Sequence, residues 1–424
     1  MKAIYLYIDP GTGSMLFTIV IGAVSAGFFL LQKLKLKLKF MLSGGRAESM
    51  NEEKIPYVIF SDSKRYWNVF KPVCDELERR GIDVRYWTMS PDDPALSEKY
   101  EHVKPLFIGE GNKAFSKLNI MNAGVVLATT PGLDVLQWKR SKNVDHYMHI
   151  LHQPGDTTFY RMFGLDHYDS VLISGEYEEK QLRDIEALRG IPERETCLTG
   201  ITYLDTMKKR YDECKDMEKE GEKEGKKTVL LAPTWGETAI LSKFGERIIK
   251  ALVDTGYDII IRPHPQSFES EKDLMDRLMK KFPESDSLHW NRDNDNFEVL
   301  RRSDIMITDF SGVMFDYALI FDRPFIYADI KFDKAPYDAA WLEEDMWTLR
   351  ILPHIGIPLK EEDFDNIKEV IDRTVNDETL AKGREKARQE TWANPGEAAV
   401  RTVDFMIKKR EETDSLKDAE AASA

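Results

Sequence analysis

SDIMITDFSGVMFDYALIFDRPFIYAD, residues 303–329, decides the fold. It reads as a buried strand over residues 304–308, a polar loop over 309–312, a helix carrying Val313, Met314, Ala318, Leu319 and Phe321, and a second strand over 324–328. That is a βαβ unit. Asp309 stands where an N-cap belongs, placed to accept from the backbone N–H of Ser311 or Gly312, and Gly312 lets another molecule approach the first turn. Free N–H groups there, reinforced by the helix dipole, attract phosphate. Any α/β domain contains several capped turns of this kind, so the segment alone sets the fold class and leaves the chemistry open.

The same alternation extends outward on both sides. Upstream, YVIF (57–60), IDVRYWT (82–88), VVLAT (125–129), YMHIL (147–151) and VLIS (171–174) read as strands, with helices over 67–80 and 176–189. Closer in, TVLLA from Thr228, a helix over 242–255, YDIIIR from Tyr257, a helix over 271–281 and SLHW from Ser287 lead into the opening unit. Strand and helix in turn imply parallel sheets with helices on both faces. A chain of 424 residues exceeds one ordinary core. Two domains are expected, 55–206 and 228–385, joined by a Lys/Glu/Asp-rich connection over 207–227. A C-terminal helix over 386–410 and a disordered tail over 411–424, rich in Ala, Ser, Asp and Glu, complete the chain.

The amino terminus is of another kind. From Pro10 to Gln32 there is no charged residue, and Met15 to Leu31 is almost wholly apolar. At 1.5 Å per residue, a helix over 14–32 is roughly long enough for the hydrocarbon core. Lys33, Lys35, Lys37 and Lys39 follow it. A basic cluster after the apolar run points to a single-pass anchor (residues 1–42 with its flank) in the cell membrane, a linker over 43–54, and catalytic domains in the cytoplasm. A cleaved signal peptide fits less well, since it carries its positive charge before the apolar run. The net charge of −14, from 60 Lys+Arg against 74 Asp+Glu, argues against nucleic acid as a partner. Cys74, Cys197 and Cys214 are scattered without a CxxC, so neither a disulfide framework nor a zinc site is indicated.

In open parallel sheets ligands bind beyond the carboxyl ends of the strands. After YDIII comes Arg262-Pro263-His264-Pro265, where two prolines hold a histidine that can donate to a phosphate oxygen or move a proton, beside an arginine suited to phosphate. Thr234-Trp235-Gly236 follows TVLLAP in the same position, and Thr308-Asp309-Phe310-Ser311-Gly312 is the third such loop. In the first domain His149 lies inside its strand and reads as packed in the sheet. His152, just past the end, is the better candidate for a general base. His146, His149 and His152, with His167 nearby, fit neither helical ligation nor one strand face with a fourth ligand, so no metal is expected.

Taken in order, the His152 loop, LLAPTWGE (230–237), RPHPQ (262–266) and SDIMITDFSGVMFDYALIFDRPFIY (303–327) resemble the CDP-glycerol glycerophosphotransferase family of teichoic acid primases and polymerases. The resemblance implies a GT-B architecture, two Rossmann-like domains facing a cleft, and a reaction that needs no cofactor or metal. An acceptor hydroxyl would attack the glycerol-linked phosphorus of CDP-glycerol and CMP would leave. It implies His152 as general base, His264 on the pyrophosphate, and the family's TDYSS-like loop at Thr308 to Gly312. Arg262 and Thr234 would join as substrate-binding residues, with Ser311 in the loop. Asp316, one turn into the helix, would accept from ribose or glycerol hydroxyls, or else pair with Arg323. The sequence also departs from the pattern: His-Gly becomes His152-Gln153-Pro154-Gly155, the lysine that comes next is absent with Arg161 nearest to it, and the second serine of the loop is Gly312.

The expected protein is therefore a membrane-anchored transferase carrying glycerol phosphate, or a related polyol phosphate, to a lipid-linked or glycan acceptor. Two alternatives stay open: a GT-B glycosyltransferase or epimerase using a UDP-sugar, and a non-catalytic membrane-tethered nucleotide-binding module.

Overall fold

A computed structural model describes residues 54–214, 226–293, 295–329 and 332–423. The apolar stretch 14–32, its lysine flank and part of the charged connection lie outside the described residues. Among the described residues no helix is long and apolar enough to cross a membrane.

Residues from Ile55 onward form one compact unit built on two all-parallel sheets. The first contains β1 (Ile55–Ser61), β2 (Val84–Thr88), β3 (Val103–Phe107), β4 (Ala123–Ala128), β5 (Val144–Ile150), β6 (Ser170–Ile173) and β7 (Glu195–Leu198), in the order 3-2-1-4-5-6-7. The second contains β8 (Thr228–Leu231), β9 (Asp258–Ile261), β10 (Leu288–Trp290), β11 (Ile305–Thr308), β12 (Phe325–Ala328) and β13 (Gly356–Leu359), in the order 10-9-8-11-12-13. Each order reverses once, between β1 and β4 and between β8 and β11. These are the switch points at which a parallel sheet opens a crevice for ligands.

The strand sequences explain the layers. Successive side chains point to opposite faces. Tyr57 and Ile59 enter one core while Val58 and Phe60 enter another. In the second sheet Val229, Leu231, Ile305 and Ile307 pack on one side, Leu230 and Met306 on the other. Sheets covered on both faces need such continuous apolar runs, each large side chain contributing about 1.5–3 kcal/mol on burial. Strands β3, β7 and β13 are edge strands, half solvated and lacking such runs. Their sequences accordingly carry no strong strand signal.

Helices α1 (Trp67–Arg79), α2 (Gly111–Leu118), α3 (Glu176–Arg189) and α4 (Thr202–Cys214) accompany the first sheet. The second has α5 (Ile240–Asp254), α6 (Ser267–Ser270), α7 (Lys272–Lys281), α8 (Phe297–Arg302), α9 (Val313–Phe315), α10 (Trp347–Ile355), α11 (Ile367–Val375) and α12 (Thr379–Thr391). The chain then crosses back, the N–H of Ala393 donating to Ser174 O at 3.0 Å. The final helix α13 (Ala398–Ser423) puts Val403, Phe405 and Met406 into the core of the first sheet. Two expectations are corrected here. The single helix over 386–410 is two helices, and the supposed disordered tail continues as helix to Ser423. Its charges are used: Arg410 and Lys417 both reach Asp145 of β5, and Arg410 pairs with Asp414 at 2.9 Å.

Buried carboxylates join the two halves, among them Asp338, which accepts from the N–H of Phe163 at 2.9 Å, and Asp156. Asp156, in the loop after β5, accepts from the N–H of Trp347 at 2.7 Å and of Thr348 at 2.9 Å. It thereby caps α10 of the other half, and Gln181 of α3 donates to it as well. Asp156→Ala should leave two buried N–H groups unpaired and lower stability by about 2–4 kcal/mol, read from denaturant unfolding. A change under about 0.5 kcal/mol, the range of an ordinary surface substitution, would mean that water serves as well as the carboxylate.

Candidate functional site

The loops at the carboxyl ends of the two sheets meet. His152 follows β5 and keeps part of its surface open, its Nδ1 lying 3.1 Å from the hydroxyl of Thr129 at the end of β4. A Nδ1–H donated to Thr129 leaves Nε2 free as a base. Tyr66 packs edge-on at 5.1 Å. Enclosure by these walls, followed by the charge of Arg65, pushes the His152 pKa down to about 4, so the ring is neutral at pH 7. His149 is fully buried, bonded to Tyr160 at 2.9 Å. It is the packed residue the sequence indicated, and burial takes its pKa to about 3. His146 turns to Ser170 at 2.8 Å.

On the second sheet His264 is fixed by its own turn, its Nδ1 accepting from the N–H of Gln266 at 3.1 Å. The neutral ring therefore carries its proton on Nε2 and is a donor. Burial first, then Arg65 and Arg262, lowers its pKa. Arg65 thus opposes protonation of both histidines, one on each sheet. Arg65 is exposed and lies over Tyr66 at 5.3 Å, and the carboxyl of Asp62 in the same loop is the acidic group beside it, its pKa raised by burial against the opposing charge of Arg65. Trp235, 44% exposed, stands 6.3 Å from His264. Arg262 donates to Asn291 and sits in a polar cluster near Asp293, Asp295 and Tyr203.

Three of the loop residues take different roles from those expected. Thr308 is fully buried and its hydroxyl donates to Ala232 O at 2.6 Å, tying β11 to the end of β8. Asp309 does not cap its own helix. It accepts from the N–H of Thr234 at 2.7 Å and of Ile240 at 3.0 Å, bracing the neighbouring loop across the switch point, and burial raises its pKa to about 6. Asp316 is enclosed, accepting from Tyr203 at 3.0 Å and Asn296 at 3.2 Å, and burial raises its pKa to about 7. Its expected partner Arg323 instead donates to the carbonyls of Arg301 and Ser303. The helix itself is one α turn, Val313–Phe315, continued by a π turn, Asp316–Ile320.

What remains open at the 309–312 loop is the half-exposed Ser311 and the N–H groups of Gly312 and Val313, which have no partner among the described residues. Thr234 is also half-exposed beside it. The His152 loop touches this place directly. Gly155, at a φ of +136° that favours glycine, lies against Phe315 and Thr348, and Gln153 lies against Gly312. A depression of about 580 Å³ lined by Ser174, Tyr177, Trp347, Arg350, His354 and Lys386 contains none of the candidate residues. The convergence of the loops, with their hydrogen-bond donors, makes the better site. Arg65, Tyr66 and Thr129 carry no sequence-level assignment, and Gln153 stands out in the sequence only as a departure from the pattern. A signal existed: SDSKRY directly follows the strand YVIF, as a ligand-facing loop should.

Together these groups can orient an anion with neutral donors and the guanidinium groups of Arg65 and Arg262, and hold a neutral imidazole beside it to take a proton. Asp309→Ala should unpair the N–H groups of Thr234 and Ile240 and cost about 2–4 kcal/mol in urea unfolding. Wild-type stability in that variant would show the bracing to be dispensable.

Residues 139–342 match the family described as CDP-Glycerol:Poly(glycerophosphate) glycerophosphotransferase. Comparison with curated proteins finds no match. Among solved structures, the wall teichoic acid polymerase TagF is similar at 15% identity and a TM-score of 0.57, over 92% of this chain and 98% of that one. A putative UDP-N-acetylglucosamine 2-epimerase from Listeria monocytogenes is 15% identical with a TM-score of 0.55, over 85% and 98%. The UDP-GlcNAc 2-epimerase of Methanocaldococcus jannaschii, in complex with UDP-GlcNAc and UDP, is 15% identical with a TM-score of 0.53, over 84% and 100%. At such identities the likeness is one of fold, α/β with parallel sheets resembling GT-B enzymes.

Proposed function

We propose that this chain, whose residues 139–342 belong to the CDP-glycerol:poly(glycerophosphate) glycerophosphotransferase family and which is a transferase of phosphate-containing groups, carries glycerol phosphate or a related polyol phosphate from a CDP-linked donor to the hydroxyl of a lipid-linked or glycan acceptor in cell-envelope polymer synthesis. The observation that carries this reading is the meeting of the His152 loop with the loop at 309–315, Gln153 lying against Gly312 and Gly155 against Phe315, beside the open donors of residues 311–313.

In the proposed reaction the acceptor oxygen forms a bond to the phosphorus that bears glycerol. The bond from that phosphorus to the bridging oxygen breaks, and CMP departs with the electron pair. His152 Nε2 takes the acceptor proton. His264 Nε2–H and Arg262 meet charge on the phosphate oxygens, as do Ser311 and the Gly312 N–H, and Arg65 adds a second positive charge. Phosphoryl transfer asks a protein chiefly to position reactants and stabilise this charge. Thr234 borders the same place. Thr308, Asp309 and Asp316 act through the loop they hold.

The apolar run over 14–32 and the lysines after it support a single-pass anchor in the cell membrane with these domains in the cytoplasm, which would confine enzyme and lipid-linked acceptor to one surface. Protease protection in membrane vesicles tests that orientation. For the chemistry, purified protein with CDP-glycerol and a lipid-linked disaccharide should release CMP. Tight binding of a UDP-sugar, with no CDP-polyol bound, would turn the assignment to the epimerase-like alternative, whose fold these two sheets share. His152→Ala should lower kcat by about 10²-fold or more with donor KM little changed, and His264→Ala should raise donor KM.

The pH profile is set by the depressed His152 pKa. An imidazole whose folded pKa is lowered stays in its base form above about 4 and loses it only as pH falls through that value. The acid limb of kcat/KM attributable to this base should lie near 4. A limb near an unperturbed histidine's value of about 6.5 would mean that enclosure does not depress this ring's pKa, and a limb unmoved by His152→Ala would remove His152 from the role.

A further inference from the structure

Gly312 is not required to be glycine by its backbone. Its φ of −56° and ψ of −23° are right-handed helical values that any L-residue adopts. What a side chain there would meet is the flexible end of Gln153, which would have to move aside. A Cβ on residue 312 would lie 2.9 Å from Cδ and 3.3 Å from Nε2 of Gln153, with Oε1 nearer still. The side chain of Gln153 therefore already occupies the place where one at 312 would begin. Gln153 comes from the loop after β5, next to His152, and crosses to the loop after β11. It is exposed, so it is not held there by burial in a core. The same two positions are where the sequence departs from the pattern it resembles, large in place of glycine and small in place of a hydroxyl. The two changes fit one another in space.

We propose that Gln153 is a positioning and specificity residue for the donor: admitted by Gly312, its carboxamide supplies the side-chain hydrogen-bonding group that position 312 lacks and contacts the phosphate-bearing part of the nucleotide. This rests on reading the 309–312 loop as the cradle of the donor's phosphates. The loop contributes Asp309, Phe310, Ser311 and Gly312, without a basic side chain. A carboxamide both donates and accepts. Its oxygen can receive the open N–H of Gly312 or Val313 while its NH₂ turns to a phosphate oxygen. A carboxylate of the same shape cannot donate and would repel the anion.

The test is a set of calorimetric titrations of the full-length protein with CDP-glycerol, UDP-GlcNAc and cytidine, for wild type, Gln153→Glu, Gln153→Gly, Gly312→Ser and the Gln153→Gly/Gly312→Ser pair. Gln153→Glu should weaken the phosphate-bearing ligand that wild type binds by about tenfold or more, while cytidine stays within about twofold. Gly312→Ser should weaken that ligand about tenfold in the wild-type background but less than about threefold in the Gln153→Gly background, a non-additive pair. In turnover the loss should fall on donor KM rather than kcat. Equal loss for all three ligands, no loss in Gln153→Glu, or strictly additive effects would overturn the inference. Should Gly312→Ser fail to fold, the Gln153→Glu comparison still decides. Wild type binding UDP-GlcNAc and not CDP-glycerol would sink the functional reading, whereas the Gln153→Glu contrast on UDP-GlcNAc would keep this inference standing.

Discussion

The relation between the two sheets depends on the carboxylate of Asp156. Buried in the loop after β5, it accepts from the first two N–H groups of α10 on the other half and from Gln181 of its own half. An ionised acceptor on a helix N-terminus is among the stronger uses of a carboxylate, since bond and dipole act together. Around it Tyr177 stacks on Trp347 at 4.7 Å and Trp347 on Phe315 at 5.3 Å, while the Tyr177 hydroxyl donates to Gly155 O at 2.9 Å. The segment from His152 to Asp156 is therefore pinned at its far end. His152 and Gln153, at its near end, are delivered to the loop at 309–315.

Desolvation is the common electrostatic theme of the cleft. It is the largest cause of the lowered pKa values of His152 and His264 and of the raised values of Asp309 and Asp316. Burial disfavours the charged form of either kind of group. Cations and anions alike are thus drawn toward neutrality, and the exposed Arg65 is left as a charge facing both histidines. An anionic ligand entering such a place meets the neutral donors of His264 and the 311–313 loop, while Arg262 is shared with Asp293 and Asp295. The same enclosure that makes His152 a weaker base than a solvated histidine also guarantees that it is unprotonated at neutral pH.

Legibility from sequence tracked the strength of the local signal. Strands such as YVIF and TVLLA, buried on both faces, were readable because parallel sheets force apolar runs. Edge strands β3, β7 and β13 were not, because solvent on one side relaxes that demand, although the fourth edge strand, β10, was legible as SLHW. Helix α3 was readable to the residue, with Gly190 closing it at a φ of +64°. The carboxyl-terminal helix was read as disordered beyond residue 410 because composition does not disclose a partner like Asp145.

The sequence by itself determined the alternation of elements, the two parallel sheets, and the loops that carry His152, His264 and Ser311. These are local or periodic properties, set by burial on each strand face and by the residue types just past each strand end. Only the tertiary structure decided what the loop side chains are for. Asp309 turned from a cap into a brace because Thr234 and Ile240 come within its reach, Thr308 was withdrawn into the core, and Asp316 was claimed by Tyr203 and Asn296. Gly312 acquired its reason from Gln153, on the opposite sheet. A hydrogen-bond acceptor or an empty Cβ position is satisfied by whatever lies nearest in space, and that neighbour is not written at any fixed spacing along the chain.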